Sequence, residues 1–233
     1  MNLFYQPQVA QGILHLDPDE SRHVVKVLRK KQGDRITLTD GKGTFYEVTI
    51  NDPDLRECTF VINKKFQEHP KNFIVHIAIS PTKNADRIEW FVEKAVELGI
   101  DEITLLECDH TERQHLKIDR LEKMAISAMK QSLKAKLPII HPLTSFRNLV
   151  QTARAVEKYI AHVDNENPNQ LKNLITAGSS YLVLIGPEGD FSNEELTLAE
   201  HQGFKKISLG PSRLRTETAG LAACHILNLA NTP

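Results

Sequence analysis

Two stretches near the C-terminal end of the chain carry residue types suited to holding a small molecule through the backbone. One is Leu184-Ile185-Gly186-Pro187-Glu188-Gly189-Asp190-Phe191. The other is Ser208-Leu209-Gly210-Pro211-Ser212-Arg213-Leu214-Arg215-Thr216-Glu217-Thr218-Ala219. Each follows an apolar run, turns on Gly and Pro, and leads into a helical pattern. Glycine lets main chain approach a ligand closely, and the free amides of a helix start can bond a purine edge or a carboxylate. One such loop reads as a plain turn. Two of them, expected to close adjacent strands and followed by Arg213, Arg215, Glu217 and Thr218, point to a site. The first strand of the same region ends instead in Ser80-Pro81-Thr82-Lys83, so neither a dinucleotide fingerprint nor a Walker signature is present.

Basic residues form a second set. Between positions 22 and 31 stand Arg22, Lys26, Arg29, Lys30 and Lys31, with no acid among them. On a helix, Arg22, Lys26 and Arg29 share one face, with Val24, Val27 and Leu28 on the other, and that face suits RNA phosphates. Lys83, Arg87 and Arg113 are further phosphate candidates. The alternative for each is a solvated or ion-paired charge, with the Glu89 region as the partner expected for Arg87. His76, His110, His115 and His162 lack metal-site spacing along the chain, so no metal is expected.

The elements that must position these residues fall into two blocks. The first seventy residues are β-rich, with strands expected at Gly12–Leu16, Arg35–Thr39, Thr44–Ile50 and Cys58–Ile62 and a hairpin turn at Asp40-Gly41-Lys42-Gly43. One helix interrupts them, with Asp17 as N-cap, Pro18 in the first turn and Gly33 at its end. A small barrel with one helix (residues 1–70) results. Residues 67–72 are a polar linker. From residue 73 to 233 strands and amphipathic helices alternate, predicting an α/β domain with a parallel sheet covered on both faces. Its expected strands are Ile74–Ile79, Ile103–Leu106, Tyr159–His162, Leu182–Ile185 and Lys206–Leu209. A helix bearing Ile88, Phe91, Val92, Ala95 and Val96 ends at Gly99; another opens on a capping box of Ser192 and Glu195, and a third on Thr216.

A chain of 233 residues, 40% hydrophobic and 25% charged, is long enough for two modest domains with cores. Its net charge of −1, from 29 Lys+Arg against 30 Asp+Glu, argues against non-specific coating of nucleic acid. A local basic face remains open. Cys58, Cys108 and Cys224 are sparse and odd in number, which fits a reducing compartment. With neither a secretory leader nor a membrane-length apolar run in view, the expected location is cytoplasmic.

The two loops, Gly186–Gly189 and Leu214–Ala219, make the chain similar to the knotted methyltransferases called SPOUT. Within them it most closely resembles the 16S ribosomal RNA uridine-N3 methyltransferase family. His23 with Leu28-Arg29, the run Glu93 to Gly99, and Gln131-Ser132 before Pro138 extend the resemblance over nearly the full length. It implies a C-terminal domain with a deep trefoil knot and an N-terminal PUA-like RNA-binding barrel. It also implies a homodimer and S-adenosylmethionine held by the backbone of Ile185, Gly186, Gly189, Leu209, Gly210 and Leu214. The implied substrate is 16S rRNA, met within an assembled small ribosomal subunit. Three positions depart from the family pattern. Asp190 replaces a glycine, Lys130 replaces an acid, and Ser212 with Arg213 stands where an arginine two residues after the glycine is usual.

Methylation at uridine N3 removes an imide proton and spreads negative charge over O2, N3 and O4. Arg215 is the expected stabiliser of that charge. Glu217 is either the proton acceptor or a first-turn acid favourable to the helix dipole. Thr218 bonds base or phosphate, or is helix surface; Glu188 holds the Thr216 region or a cofactor hydroxyl. Positioning of sulfur, methyl and N3 in line supplies most of the acceleration. Two alternatives stand beside this reading: a relative acting on tRNA or large-subunit rRNA, and a catalytically inactive RNA-binding protein.

Overall fold

The computed structural model describes residues 2–113, 116–162 and 169–232, in two compact units. One comprises Met1–Pro70 with Ile126–Leu137; the other comprises Lys71–Ala125 with Pro138–Pro233. The short second piece of the first unit, Ile126–Leu137, belongs to the stretch that sequence reading gave to the second domain.

In the first unit β1 (Leu3–Tyr5), β2 (Arg35–Thr39), β3 (Thr44–Asp52) and β4 (Thr59–Gln67) form one sheet in that order. The hairpin between β2 and β3 turns where expected. The Asp40 carboxylate accepts the amides of Lys42 (2.7 Å) and Thr44 (3.2 Å), and Gly41 and Gly43 supply the positive φ the turn needs. Alternation along β2 and β3 sends Ile36, Leu38, Tyr46, Val48 and Ile50 into a core shared with Phe4, Val24 and Phe60. Gly12–Leu16 is not a strand; only His15 bridges to Thr59. The parallel edge strand β1 was missed, being three residues long.

The helix of this unit is shorter than expected. Asp17 caps α1 (Pro18–Arg22) by accepting the amides of Asp19 and Glu20, both at 2.8 Å. A π-helical turn over His23–Val27 follows, Leu28 closes it, and Arg29 adopts a left-handed φ of 55°. Gly33 lies well beyond the end. The wide turn exposes Val27, while Val24 stays buried. Arg22, Lys26 and Arg29 are exposed, but Arg29 has left the helix and Arg22 pairs with Asp19, so the three do not form one continuous helical stripe.

Lys130, the residue that replaces an acid, pairs with buried Glu20. Burial raises the Glu20 pKa against the lowering pull of that ammonium. A cation at position 130 thus answers an acid at position 20.

In the second unit six strands form an all-parallel sheet in the order β10-β8-β9-β5-β6-β7. They are β5 (Ile74–Ile79), β6 (Glu102–Glu107), β7 (Ile139–Ser145), β8 (Glu157–Ala161), β9 (Ser180–Ile185) and β10 (Lys205–Ile207). The expected strands are all present. Edge strand β7 was missed because Pro142 interrupts a half-exposed pattern, and proline is tolerated at a sheet edge.

Side chains alternate between the two faces of the sheet, so Ala78 and Ile79 point to opposite sides. The Ala78 side carries Leu106, Ile160, Leu182 and Leu184 under Phe146 and Val150 of α4 (Phe146–Thr152) and Leu196 and Ala199 of α5 (Asn193–His201). On the Ile79 side lie α2 (Ala85–Leu98) and α6 (Thr216–Ala230). There a Cβ on Gly220 would stand 2.7 Å from the Phe91 ring and 3.0 Å from Ile79, so glycine permits the close approach. α2 ends on Gly99 at φ 96°, and α5 opens on the Ser192–Glu195 capping box, both as expected. The remaining helix is α3 (Ile118–Gln131), whose residues up to Ala125 belong to the second unit and those from Ile126 to the first. Among the described residues no helix is long and apolar enough to cross a membrane.

Candidate active site at the carboxyl end of the sheet

The two glycine loops meet. Beyond the ends of β8, β9 and β10 lies a cavity of about 960 Å³, within the range of small-molecule sites. Ile185, Gly186, Leu209, Gly210, Leu214 and Arg215 all line it. β9 and β10 are not neighbours as expected, because β8 runs between them. The cavity therefore gains a third wall that sequence reading missed, including Ala161, His162 and Gln170.

One hydrogen bond ties the loops together. Thr216 was expected to cap α6, but Arg215 occupies that place and Thr216 is the first helical residue. Its buried hydroxyl donates instead to the Gly186 carbonyl at 3.1 Å. Gly210, at φ 129°, has no atom within 4 Å of where a Cβ would stand. The amides of Leu209 and Leu214 meet no acceptor among the described residues. The wall thus offers unspent main-chain donors, as an adenosine-type ligand requires.

Gly189 is not among the lining residues. A Cβ there would lie 3.2 Å from His110, so this glycine shapes the turn against a side chain. Asp190 sits at φ 62°, a left-handed conformation that explains why glycine is the usual occupant. Its carboxylate accepts the Phe191 amide at 2.8 Å, a local bond that helps aspartate hold this conformation. Its other oxygen lies 2.9 Å from His162 Nδ1, in ion-pair range but off hydrogen-bonding direction. His110 Nδ1 lies 2.9 Å from the Asp190 carbonyl.

The candidate chemical groups divide by exposure. Arg215 and Thr218 are exposed, whereas Glu217 is buried. Only Arg215 of the three lines the cavity. Glu217 Oε1 lies 3.8 Å from Arg87 Nε on α2, and its Oε2 is buried without a hydrogen-bond partner among the described residues. The partner expected for Arg87, the Glu89 region, is taken: Glu89 pairs with Arg120 at 2.7 Å. Lys83 lies beside the same loops. Its amide donates to Glu188 at 3.4 Å, its ammonium stands 3.2 Å from Glu112, and its carbonyl accepts from Arg113 at 3.0 Å. Glu188, itself on the cavity wall, therefore reaches Lys83 rather than Thr216. Ser212 and Arg213 are exposed on the rim.

A parallel sheet with helices on both faces and a cavity between loops at its carboxyl ends defines an open α/β domain with its ligand site where such folds place one. An RNA methyltransferase domain model matches residues 69–228, and an RNA methyltransferase PUA domain model matches residues 16–63. The chain belongs to the RNA methyltransferase family. It is 30% identical over 215 residues to the ribosomal RNA small subunit methyltransferase E of Buchnera aphidicola, with 88% of this chain and 83% of that protein covered. Among solved structures, a "probable rRNA-methyltransferase" from Porphyromonas gingivalis is 42% identical with a TM-score of 0.92, over 98% of this chain and 99% of the other. A ribosomal RNA small subunit methyltransferase E from Neisseria gonorrhoeae, bound to S-adenosyl methionine, is 27% identical with a TM-score of 0.82, over 96% and 95%.

The histidines give one result that sequence spacing did not. His115 lies outside the described residues. His76, however, is brought beside Glu102 and His141 at the opposite end of the sheet. Burial pulls the His76 pKa down to about 4, against the raising effect of Glu102.

Proposed function

We propose that this chain transfers methyl from S-adenosylmethionine to N3 of a specific uridine in 16S rRNA. The reading extends to a cytoplasmic homodimer working on an assembled small subunit, with a trefoil knot in the C-terminal domain and RNA docking by the N-terminal unit. The observation that carries it is the convergence of both glycine loops on one cavity, joined by the Thr216–Gly186 bond. The Buchnera and Neisseria relatives are ribosomal RNA small subunit methyltransferases E, and the Neisseria structure is bound to S-adenosyl methionine, which supports methyl transfer to rRNA.

Ile185, Gly186, Leu209, Gly210 and Leu214 would hold the cofactor by main chain, with Gly189 keeping the first loop in shape. When bound, S-adenosylmethionine supplies an electrophilic methyl group on a sulfonium. Arg215, exposed on the wall of the cavity, would stabilise with its guanidinium the charge developing on a uracil carbonyl oxygen. Glu217 follows two residues on, buried against Arg87, with one oxygen free to accept a proton or to fix the Arg87 side chain. Lys83, Arg87 and Arg113 border the same loops and suit backbone phosphates; Arg22, Lys26 and Arg29 offer exposed cations on the other unit.

Titration calorimetry with S-adenosylmethionine tests the first half: saturable heat is expected, and none at high concentration ends the enzymatic reading. Mass spectrometry of rRNA nucleosides from a deletion strain tests the second. A uridine-N3 methyl group should disappear from one site in 16S rRNA, and its persistence excludes this target.

A further inference from the structure

The amino end of the same sheet carries a second constellation, built from strands and not from loops. β5 pairs with β6 so that His76 stands opposite Glu102, and β6 pairs with β7 so that Thr104 stands opposite His141. Partners in a parallel ladder share a face, as do residues two apart on one strand, so all four side chains project to the Ala78 side. Three different strands thus deliver two imidazoles and a carboxylate to one point.

The three side chains lie close enough together to share one ion. Each of the three residues offers a donor atom within 4.8 Å of the other two. Glu102 Oε2 shares a hydrogen bond of 2.9 Å with His141 Nε2, which an ion would replace, and lies 3.8 Å from His76 Nδ1. The second separation is too long for a hydrogen bond. A tetrahedral zinc ion with bonds of about 2.0–2.2 Å spaces its ligands by roughly 3.3 Å. The other His76 nitrogen, Nε2, lies 2.8 Å from the hydroxyl of buried Thr104. Such an outer partner holds the ring in orientation, and with the hydroxyl accepting from Nε2–H, Nδ1 is the nitrogen turned to a metal.

The group is half-buried and opens on a cavity of about 470 Å³, which Leu149 and Ala153 also line. Two imidazoles with one carboxylate favour transition ions over calcium or magnesium, which prefer all-oxygen shells. We propose that His76, Glu102 and His141 bind one divalent transition-metal ion of the zinc class, with a further coordination position open to this cavity. The site is separate from the glycine-loop cavity, since its residues lie near the starts of β5, β6 and β7. It stands whether or not the methyl-transfer reading does.

The test uses full-length, untagged protein freed of metal with a chelator, titrated with zinc chloride by calorimetry. One equivalent per chain is expected, together with a visible absorption band for the cobalt-loaded form. Glu102→Gln keeps the shape and should weaken zinc affinity by at least about tenfold, as should His141→Ala on the half-exposed edge strand. Circular dichroism checks that each variant is folded; if His141→Ala is not, Glu102→Gln carries the test. Absence of saturable zinc uptake by the unsubstituted protein, or uptake unchanged in Glu102→Gln, overturns the proposal.

Discussion

The two ends of the parallel sheet solve the problem of binding in different ways. At the carboxyl end two loops that turn on glycine and proline form much of the wall. Gly186, Gly210 and the amides of Leu209 and Leu214 do the shaping, and Arg215 is the exposed cation set into it. At the amino end the strands themselves project His76, Glu102 and His141, and the backbone there is spent in the ladder. Backbone donors suit a large ligand recognised by outline and hydrogen-bonding edge. Side-chain donors on rigid strands suit a small ion held at fixed distances. Function at the first end should therefore respond to φ and loop geometry, and at the second to the loss of single atoms.

Substitutions can break that contrast, and the largest effect is expected at Arg215. Arg215→Ala should lower methyl-transfer turnover by about 10²–10³-fold, as removal of one preorganised charge-stabilising donor does, with cofactor affinity nearly intact. Unchanged turnover would remove Arg215 from the mechanism. At the other end, Thr104→Val deletes the hydroxyl beside His76 Nε2 and should weaken zinc binding about 10–100-fold, whereas Thr104→Ser should restore it. Equal affinity in both variants would show that the hydroxyl positions nothing.

The next two substitutions probe the loop-built wall at the carboxyl end. Gly210→Ala meets no steric neighbour, so any cost comes from the φ of 129° alone; about 1–3 kcal/mol is expected. A melting temperature and a cofactor affinity both unchanged would mean that this conformation is not required. The smallest effect is expected from Thr216→Val, which removes the hydroxyl that joins the two loops. About 1 kcal/mol should be lost, or roughly fivefold in cofactor affinity by calorimetry. A much larger loss would make this one bond the hinge of the cavity.

Much of the carboxyl end was legible because its parts are contiguous. Gly-Pro-Glu-Gly and Leu-Arg-Thr-Glu-Thr-Ala each occupy one short run, and local rules for turns, caps and glycine apply within such a run. The capping box at Ser192 and Glu195 and the Gly99 helix end were legible for the same reason. Local rules stop at the first non-local contact. The π-turn at His23–Val27 was not foreseen, because a helical repeat over ten residues does not distinguish an i+4 from an i+5 ladder. Nor was the pairing of Lys130 with Glu20, 110 positions apart.

Apolar spacing, glycine placement and capping residues in the sequence alone determined a β-rich first block, a βα-alternating second block, and two loops fit to hold a ligand by backbone. Strand order was decided only in three dimensions, since parallel strands are joined by crossovers and any of several orders satisfies the same pattern. That order inserted β8 between β9 and β10, adding Ala161 and His162 to the cavity. It also set β5, β6 and β7 side by side, bringing together histidines 65 positions apart with a glutamate between them. Register is a property of neighbours, and neighbours are chosen by packing.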